Sequence, residues 1–305
     1  MRKSGRKLVS AALTAAMALS LAACGGQAAD ATTAAETTTE AASQEETTAQ
    51  ETTEEESQAE EPADNQQADI VVIGAGGAGM TAAIQAVQDG ATDVVILEKM
   101  PVTGGNTTRS TGGLNAAGTS YQEADGVEDS VELFVEDTMK GGKELNDKEL
   151  VTVMAENSAG AVDWVNEIGG DLSVVGMFGG ASVKRIHRPT DTSAVGPMLV
   201  KALNAKTEEL GIPVLLETTA EKILVDDSGK VCGVTGTDKD GQEFTIDCTA
   251  VVLATGGFGA NSDMVVEYKP DLAGFCTTNH AGATGDGIAM AKELGAAFVD
   301  MEQIQ

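Results

Sequence analysis

The residues best spaced to do chemistry lie between Asp69 and Lys99, in DIVVIGAGGAGMTAAIQAVQDGATDVVILEK. Gly74-x-Gly76-x-x-Gly79 is a spacing with a job for each glycine: Gly74 makes a tight turn, Gly76 lets backbone approach a pyrophosphate, and Gly79 lets a helix pack closely on a strand. Glu98 follows nineteen residues after Gly79, where a carboxylate accepts hydrogen bonds from ribose hydroxyls and disfavours a phosphorylated ribose. A lone glycine fingerprint is weak evidence. Here it sits between a β-branched run, Ile70 to Ile73, and an Ala-rich helical stretch to about Asp89, with a second strand, Val94 to Leu97, running into Glu98. Strand, glycines, helix, strand and acid in register predict a βαβ unit that binds a dinucleotide at a helix N-terminus.

Further groups could contribute. Gly104-Gly105 and Gly112-Gly113 bracket Asn106, Thr107 and Thr108, short hydrogen-bonding side chains on unobstructed backbone that suits a phosphate or a planar ring. In FGGASVKRIHRPT, His187 stands between Arg185 and Arg188. Three cationic or potentially cationic groups in an acidic chain read either as a site for something anionic or as an ion-pair cluster with local carboxylates. Cys232 and Cys248 flank a hairpin, VCGVTGTDKDGQEFTIDC; a three-residue loop Lys239-Asp240-Gly241 sets them opposite each other, and a two-residue Asp240-Gly241 loop does not. Outside the cell such a pair can form a disulfide; two buried thiols are the favoured reading. There is no CxxCH for c-type haem and no Cys/His spacing that suits zinc.

The elements that must position these groups are those of an α/β chain. Residues 127–168 read as amphipathic helices, with Trp164 at core spacing relative to Val151, Met154 and Ile168. Val195 to Leu210 is a helix and Pro213 to Thr218 a strand. After the hairpin, Val251 to Leu253 is a buried strand entering Ala254-Thr255-Gly256-Gly257, and Asn279 to Gly287 precedes a short helix, Ile288 to Leu294.

Before Asp69 the composition changes. Arg2, Lys3, Arg6 and Lys7 precede an apolar run, Leu8 to Ala22, of signal-peptide length, and Leu21-Ala22-Ala23-Cys24 resembles the lipobox in which a cysteine is lipidated after cleavage. Residues 1–23 are therefore read as a lipoprotein signal peptide and Cys24 as the lipidated residue. Residues 24–68 are read as a disordered Thr/Glu-rich linker; from Gly25 to Ala68 there is no Lys, Arg or aromatic residue, too little to offset chain entropy by burial. Of the formal charge of −29, residues 1–24 carry +4 and 25–68 carry −12, which leaves −21 on 69–305. That surface argues against nucleic acid and against electrostatic docking on anionic lipid.

Residues 69–305 resemble the FAD-binding part of the bacterial fumarate reductase flavoprotein family, in its flavocytochrome c-like and urocanate reductase-like branch. The resemblance rests on VVIGAGGAGMTAAI, VILEKMPVTGGNTTRSTGGLNAAGT, GGASVKRIHRPT, VVLATGGFGAN and TTNHAGATGDGIAMAKELGA, five motifs in order. It implies a Rossmann-like FAD-binding domain with a β-hairpin or meander insertion. It further implies that Gly74, Gly76 and Gly79, with Gly79 closest, hold the pyrophosphate, that Glu98 binds the adenosine ribose and that Asn106 and Thr107 contact the phosphate and ribityl region. Thr111 and Gly112 would line the flavin, Ala220 would meet the adenine through its backbone, and Asp286 would bind FAD from the other side. Asn106 aligns with the histidine that attaches FAD covalently in membrane-bound relatives, so FAD is expected to be non-covalent.

The resemblance implies reduction of the C=C bond of an α,β-unsaturated carboxylate such as fumarate, with electrons from a separate donor protein or a quinol-linked donor. Reduction of urocanate or another enoate and ketosteroid dehydrogenation are alternatives within the family. Gln305 aligns with an active-site glutamine, and the clamp domain, proton-donating arginine and C-terminal flavin segment of the family would follow it, so the chain reads as C-terminally truncated and inactive on its own. An extracytoplasmic, membrane-anchored location follows from the lipobox. A solute-capturing lipoprotein is the rival from another class, and an inert fragment a third reading.

Overall fold

A computed structural model describes residues 66–304. Cys24, Gln305, the signal peptide and nearly all of the expected linker lie outside the described residues. Three residues of that linker belong instead to the first strand: β1 (Gln66–Ile73) begins at Gln66 because Gln66, Gln67 and Ala68 pair with Ile246, Asp247 and Cys248. The glutamines are polar, but their backbone groups complete a ladder, and Ala68 between them and Asp69 is buried.

β1 leads into α1 (Gly77–Gln88) and β2 (Val94–Glu98), the expected βαβ unit, with Ile70 to Ile73 in parallel register against Val94 to Leu97. A 3-10 turn, Gly105–Arg109, and β3 (Leu114–Asn115) follow. Then come α2 (Ser120–Ala124), α3 (Val131–Gly141) and α4 (Lys148–Glu167). Thr119, Ser130 and Asp147 cap these three helices through their side chains. β4 (Val174–Gly176) and β5 (Ile186–Arg188) form a three-stranded antiparallel sheet with β3, and α5 (Val195–Glu209) returns the chain to β6 (Val214–Leu216), parallel to β2.

The chain then makes an antiparallel meander of β7 (Thr219–Val225), β8 (Val231–Thr237) and β9 (Glu243–Leu253), before α6 (Ser262–Tyr268) and α7 (Asp286–Glu293). The main sheet has the order β6-β2-β1-β9-β8-β7. The strand expected at Val251 to Leu253 is neither separate from the hairpin nor buried: β9 runs without a break from the hairpin to Leu253, which is exposed, and pairs with β1 in parallel over most of its length.

Period-two alternation divides the core. Val72, Val94 and Ile96 face α1 and α5, packing with Met80, Ile84, Val200 and Leu203. Val71, Ile73, Val95 and Leu97 face the other way, where the curled meander supplies Ala220, Val234 and Ile246 and α7 supplies Met290. Trp164 packs with Ile168 beside α1 and α5, as spacing predicts, but Val151 belongs to a different cluster with Phe134 and Val135, and Met154 is 48% exposed. The twenty-residue helix touches three clusters, Val151 and Ala155 in one, Val162 and Val165 in a second and Trp164 reaching a third, so its apolar face is not one surface.

Candidate functional site

β1 is the strand at which the sheet order reverses, with β2 on one side and β9 on the other. Ligands of open α/β sheets bind outside the carboxyl ends of the strands at such a point. A cleft of about 440 Å³ opens there, lined among others by Gly74, Gly76, Glu98, Asn106, Thr107, Ala220 and Asp286. Seven of the ten residues named from the sequence thus meet in one cavity, from positions up to 212 residues apart.

Sterics explain the fingerprint. Gly74 has φ 108°, and a Cβ there would lie 2.5 Å from the Ala254 carbonyl oxygen; a Cβ at Gly79 would lie 1.8 Å from the Gly74 carbonyl oxygen. Gly79 is therefore a packing residue that lets α1 approach the β1 turn, and it is not among the lining residues, contrary to its expected place nearest the pyrophosphate. The N-terminus of α1 has no side-chain cap from Gly76, and the Gly77 N–H donates to Thr107 Oγ1 at 3.0 Å. Gly76, Gly77 and Ala78 line the cleft beside this helix end, whose dipole favours an anion.

Glu98 is buried at the end of β2. Its carboxylate accepts from the amides of Ala75 at 2.8 Å and Met100 at 2.9 Å, one on each oxygen. A carboxylate has about four lone-pair sites, so two remain for hydroxyl donors. Asn106 Oδ1 accepts the His280 amide at 2.6 Å while its Nδ2 donates to Asn279 Oδ1 at 2.7 Å, so its side chain ties the 3-10 turn to the 277–283 segment. Asp286 begins α7 and accepts from Thr284 Oγ1 at 2.8 Å; Lys99 donates to both Thr284 and Asp286. Thr111 and Gly112 do not line this cleft. A Cβ at Gly112 would face Ile186 Cδ1 and Phe178 Cε2, beyond the 3-10 turn.

The two readings of the Arg185–His187 cluster separate cleanly. Arg185 is 1% exposed and donates to Asp129 through Nε at 2.8 Å and Nη2 at 2.7 Å, and to Asp137 through Nη1 at 2.7 Å, with its guanidinium 4.7 Å from the Phe134 ring. It is a structural ion pair. His187 is fully buried: its Nδ1 lies 2.9 Å from the Arg185 carbonyl and its Nε2 2.8 Å from Thr119 Oγ1, a hydroxyl that already accepts the Gln122 amide. The carbonyl can only accept, which fixes a proton on Nδ1, and a neutral ring then takes the Thr119 hydroxyl proton at Nε2. Burial pushes the His187 pKa down, against hydrogen bonds and carboxylates that raise it.

The hairpin turns through Lys239-Asp240-Gly241, with the Asp238 amide donating to the Gln242 carbonyl at 2.9 Å. Its register pairs Gly233 with Asp247, so Cys232 and Cys248 stand opposite each other one step beyond the ladder. Both are free thiols; Cys248 is buried as expected, but Cys232 is exposed.

The sequence reading missed Lys99 and Thr284, one residue from Glu98 and two from Asp286, as partners of Asp286, and it named Thr255 and Gly256 after the last strand without giving them a place in the lining. A helix N-terminus lining the cleft, a buried acceptor with lone pairs to spare and glycine-lined backbone at the strand ends fit the pyrophosphate and ribose of a dinucleotide.

Residues 69–305 match a family described as an FAD binding domain. The chain is similar to the NADH:fumarate oxidoreductase of Klebsiella pneumoniae (strain 342), 47% identical over 78% of this chain and 25% of that protein. It is also similar to the fumarate reductase (cytochrome) of Shewanella frigidimarina, 44% identical over 80% and 42%. The urocanate reductase of Eggerthella lenta is 38% identical over 78% and 39%. The open conformation of a flavocytochrome c3 fumarate reductase superposes with a TM-score of 0.77 at 41% identity, covering 79% of this chain and 42% of that one. The chain thus spans about a quarter to two fifths of the length of these relatives. With that match across the whole folded region, and a cleft built for the ligand that the match implies, the chain belongs to the family of FAD binding domains.

Proposed function

We propose that this protein is the FAD-holding part of an oxidoreductase that reduces the C=C bond of an α,β-unsaturated carboxylate, with fumarate as the leading substrate. The observation that carries this is the switch-point cleft, lined by seven residues that the family resemblance assigns to FAD, in a chain whose relatives at 44–47% identity are named for fumarate. The urocanate reductase, at 38%, makes that acid the second substrate to try.

When bound, the flavin would supply hydride from N5 to the β-carbon of the unsaturated acid, with a proton added at the α-carbon to complete the reduction. The residues of this chain hold and orient the cofactor: α1 and its amides take the pyrophosphate, Glu98 accepts from ribose hydroxyls, the Ala220 backbone meets the adenine, and Asp286 closes the opposite wall. Nothing in this set offers a covalent link at Asn106, whose amide is engaged with Asn279 and His280. Arg185 and His187 are satisfied internally and do not hold substrate. Electrons come from a separate donor, a protein or a quinol-linked one. Export, lipidation at Cys24 and a spacer to the first strand, supported by the sequence pattern of residues 1–68, place the domain outside the cytoplasm on a lipid anchor.

The test is purification of the natural gene product from membranes, with its intact mass, absorbance spectrum and fumarate-dependent oxidation of a reduced dye. Flavin released on denaturation and dye oxidation that requires fumarate are expected. Flavin without turnover on fumarate would reject the substrate and send the screen to urocanate. Absence of flavin would reject the enzyme reading. A Cys24→Ala variant that still partitions with membranes would reject the anchor.

A further inference from the structure

Among the described residues that line the cleft, Lys99 is the one lysine or arginine, while Glu98 and Asp286 are both acidic. Lys99 follows β2 directly, yet among the described residues its ammonium bonds no acceptor on β1, β2 or α1. It donates instead to Asp286 and Thr284, 187 and 185 residues away, and Thr284 donates in turn to the second Asp286 oxygen at 2.8 Å. The ring of three is partly enclosed, with the Lys99 side chain 24% and the Asp286 side chain 38% exposed. It joins the end of β2 to the first turn of α7, and both line the cleft.

A cleft that takes a doubly charged pyrophosphate gains nothing from an uncompensated carboxylate on its wall, least of all in a domain of formal charge −21. We propose that Lys99 is a positioning residue for FAD: it holds Asp286 at the start of α7, where the carboxylate can accept from the cofactor, and cancels its charge so that the phosphates are not repelled. The inference rests on the assignment of the cleft to FAD. It adds a residue whose contribution runs through Asp286 and not through a phosphate.

The experiment titrates flavin into the apoprotein of the full chain, followed by fluorescence quenching at low and high salt, with the thermal midpoint of each apoprotein alongside. Variants are K99M, K99R, D286N and K99M/D286N, with K99Q replacing K99M if that variant does not fold. Removing a charged hydrogen-bond donor should weaken FAD about 10- to 100-fold. Much of that loss should recover at high salt, which screens the exposed Asp286 charge. K99R should bind within about threefold of wild type, and the double variant should bind no more weakly than D286N alone.

A loss in K99M that salt does not change, or losses that multiply in the double variant, would overturn the proposal. So would a lowered thermal midpoint with unchanged affinity, which marks a simple strut. Wild-type protein that takes up no FAD would overturn the FAD reading itself and this inference with it, an outcome distinct from a failure confined to the variants.

Discussion

Replacing Arg185 by Met tests the assignment of the buried cation to structure. The Met side chain fills part of the same volume and leaves two carboxylates behind, Asp129 with a side chain 0% exposed and Asp137 at 10%. Each retains some partners: Asp129 accepts from Gln122 Nε2 and the Ser130 amide, and Asp137 from the amide and hydroxyl of Ser182. Removing one member of a buried ion pair costs about 3–5 kcal/mol, against a total stability of about 5–15 kcal/mol for a domain. At neutral pH the loss should therefore be about a fifth or more of the stability.

The pH dependence gives a sharper signature. Burial pushes the Asp137 carboxyl up, but the Ser182 bonds and Arg185 outweigh it and hold it at about 2. A carboxyl depressed in the folded state contributes stability above its unfolded value near 3.8, lost as the pH falls through about 2. Discounted for screening, that contribution is about 1–2 kcal/mol. R185M gives up much of it, so the gap between wild type and variant should narrow between pH 4 and pH 2, where protonation relieves the uncompensated charge. Urea unfolding of both proteins across this range measures it, with FAD affinity of the folded variant expected within about threefold of wild type. A neutral-pH loss below about 1 kcal/mol, or a penalty that does not shrink toward acid, would refute the reasoning, and a collapse of FAD affinity in folded protein would return Arg185 to the binding site.

Gly79→Ala places a methyl against the Gly74 backbone and should cost about 2 kcal/mol or more and weaken FAD at least about tenfold, read by thermal shift and flavin quenching; an unperturbed variant would mean that α1 is free to slide. In Glu98→Gln the amide can accept only one of the Ala75 and Met100 hydrogen bonds, so FAD affinity should fall about 10- to 100-fold in a titration of apoprotein, and equal affinity would remove Glu98 from the ribose. His187 is neutral in its buried place with a lowered pKa, so the folded state binds fewer protons than the unfolded one below about pH 6.5. Its stabilising contribution is full above that pH and declines as pH falls toward the lowered value. Urea midpoints between pH 5 and 7.5 should show this slope in wild type and less of it in His187→Gln, and an unchanged slope would assign it to other groups.

What the sequence made legible follows the reach of local physics. The first βαβ unit could be read nearly residue by residue because its signals are local: β-branched strands, glycines where a Cβ would strike Ala254 or Gly74, and an acid at the next strand end. Asp286 and Ala220 were reachable only through family resemblance, since nothing local says that α7 and β7 return to the same strand ends. The Arg185 cluster stayed ambiguous because the partners that decide it, Asp129 in the loop before α3 and Asp137 on α3, lie 56 and 48 residues away. Polar Gln66 and Gln67 hid the start of β1, since a strand edge can be set by backbone pairing alone. Thr111 and Gly112 were assigned by alignment to a flavin ring, and the cleft described here ends short of them.

β1 enters the sheet at Gln66 and delivers its last residue, Ile73, to the cleft. Seven steps of about 3.3 Å separate those ends by about 23 Å. Whatever is attached upstream of Gln66 therefore leaves from the side of the domain opposite the cofactor mouth. A surface, bead or electrode coupled through that end would leave the mouth facing solution, open to soluble reductants. A pull on the same end would run along β1 and load its ladders with β2 and β9 in shear, so the nucleotide turn sits at the end of the strand that bears the force.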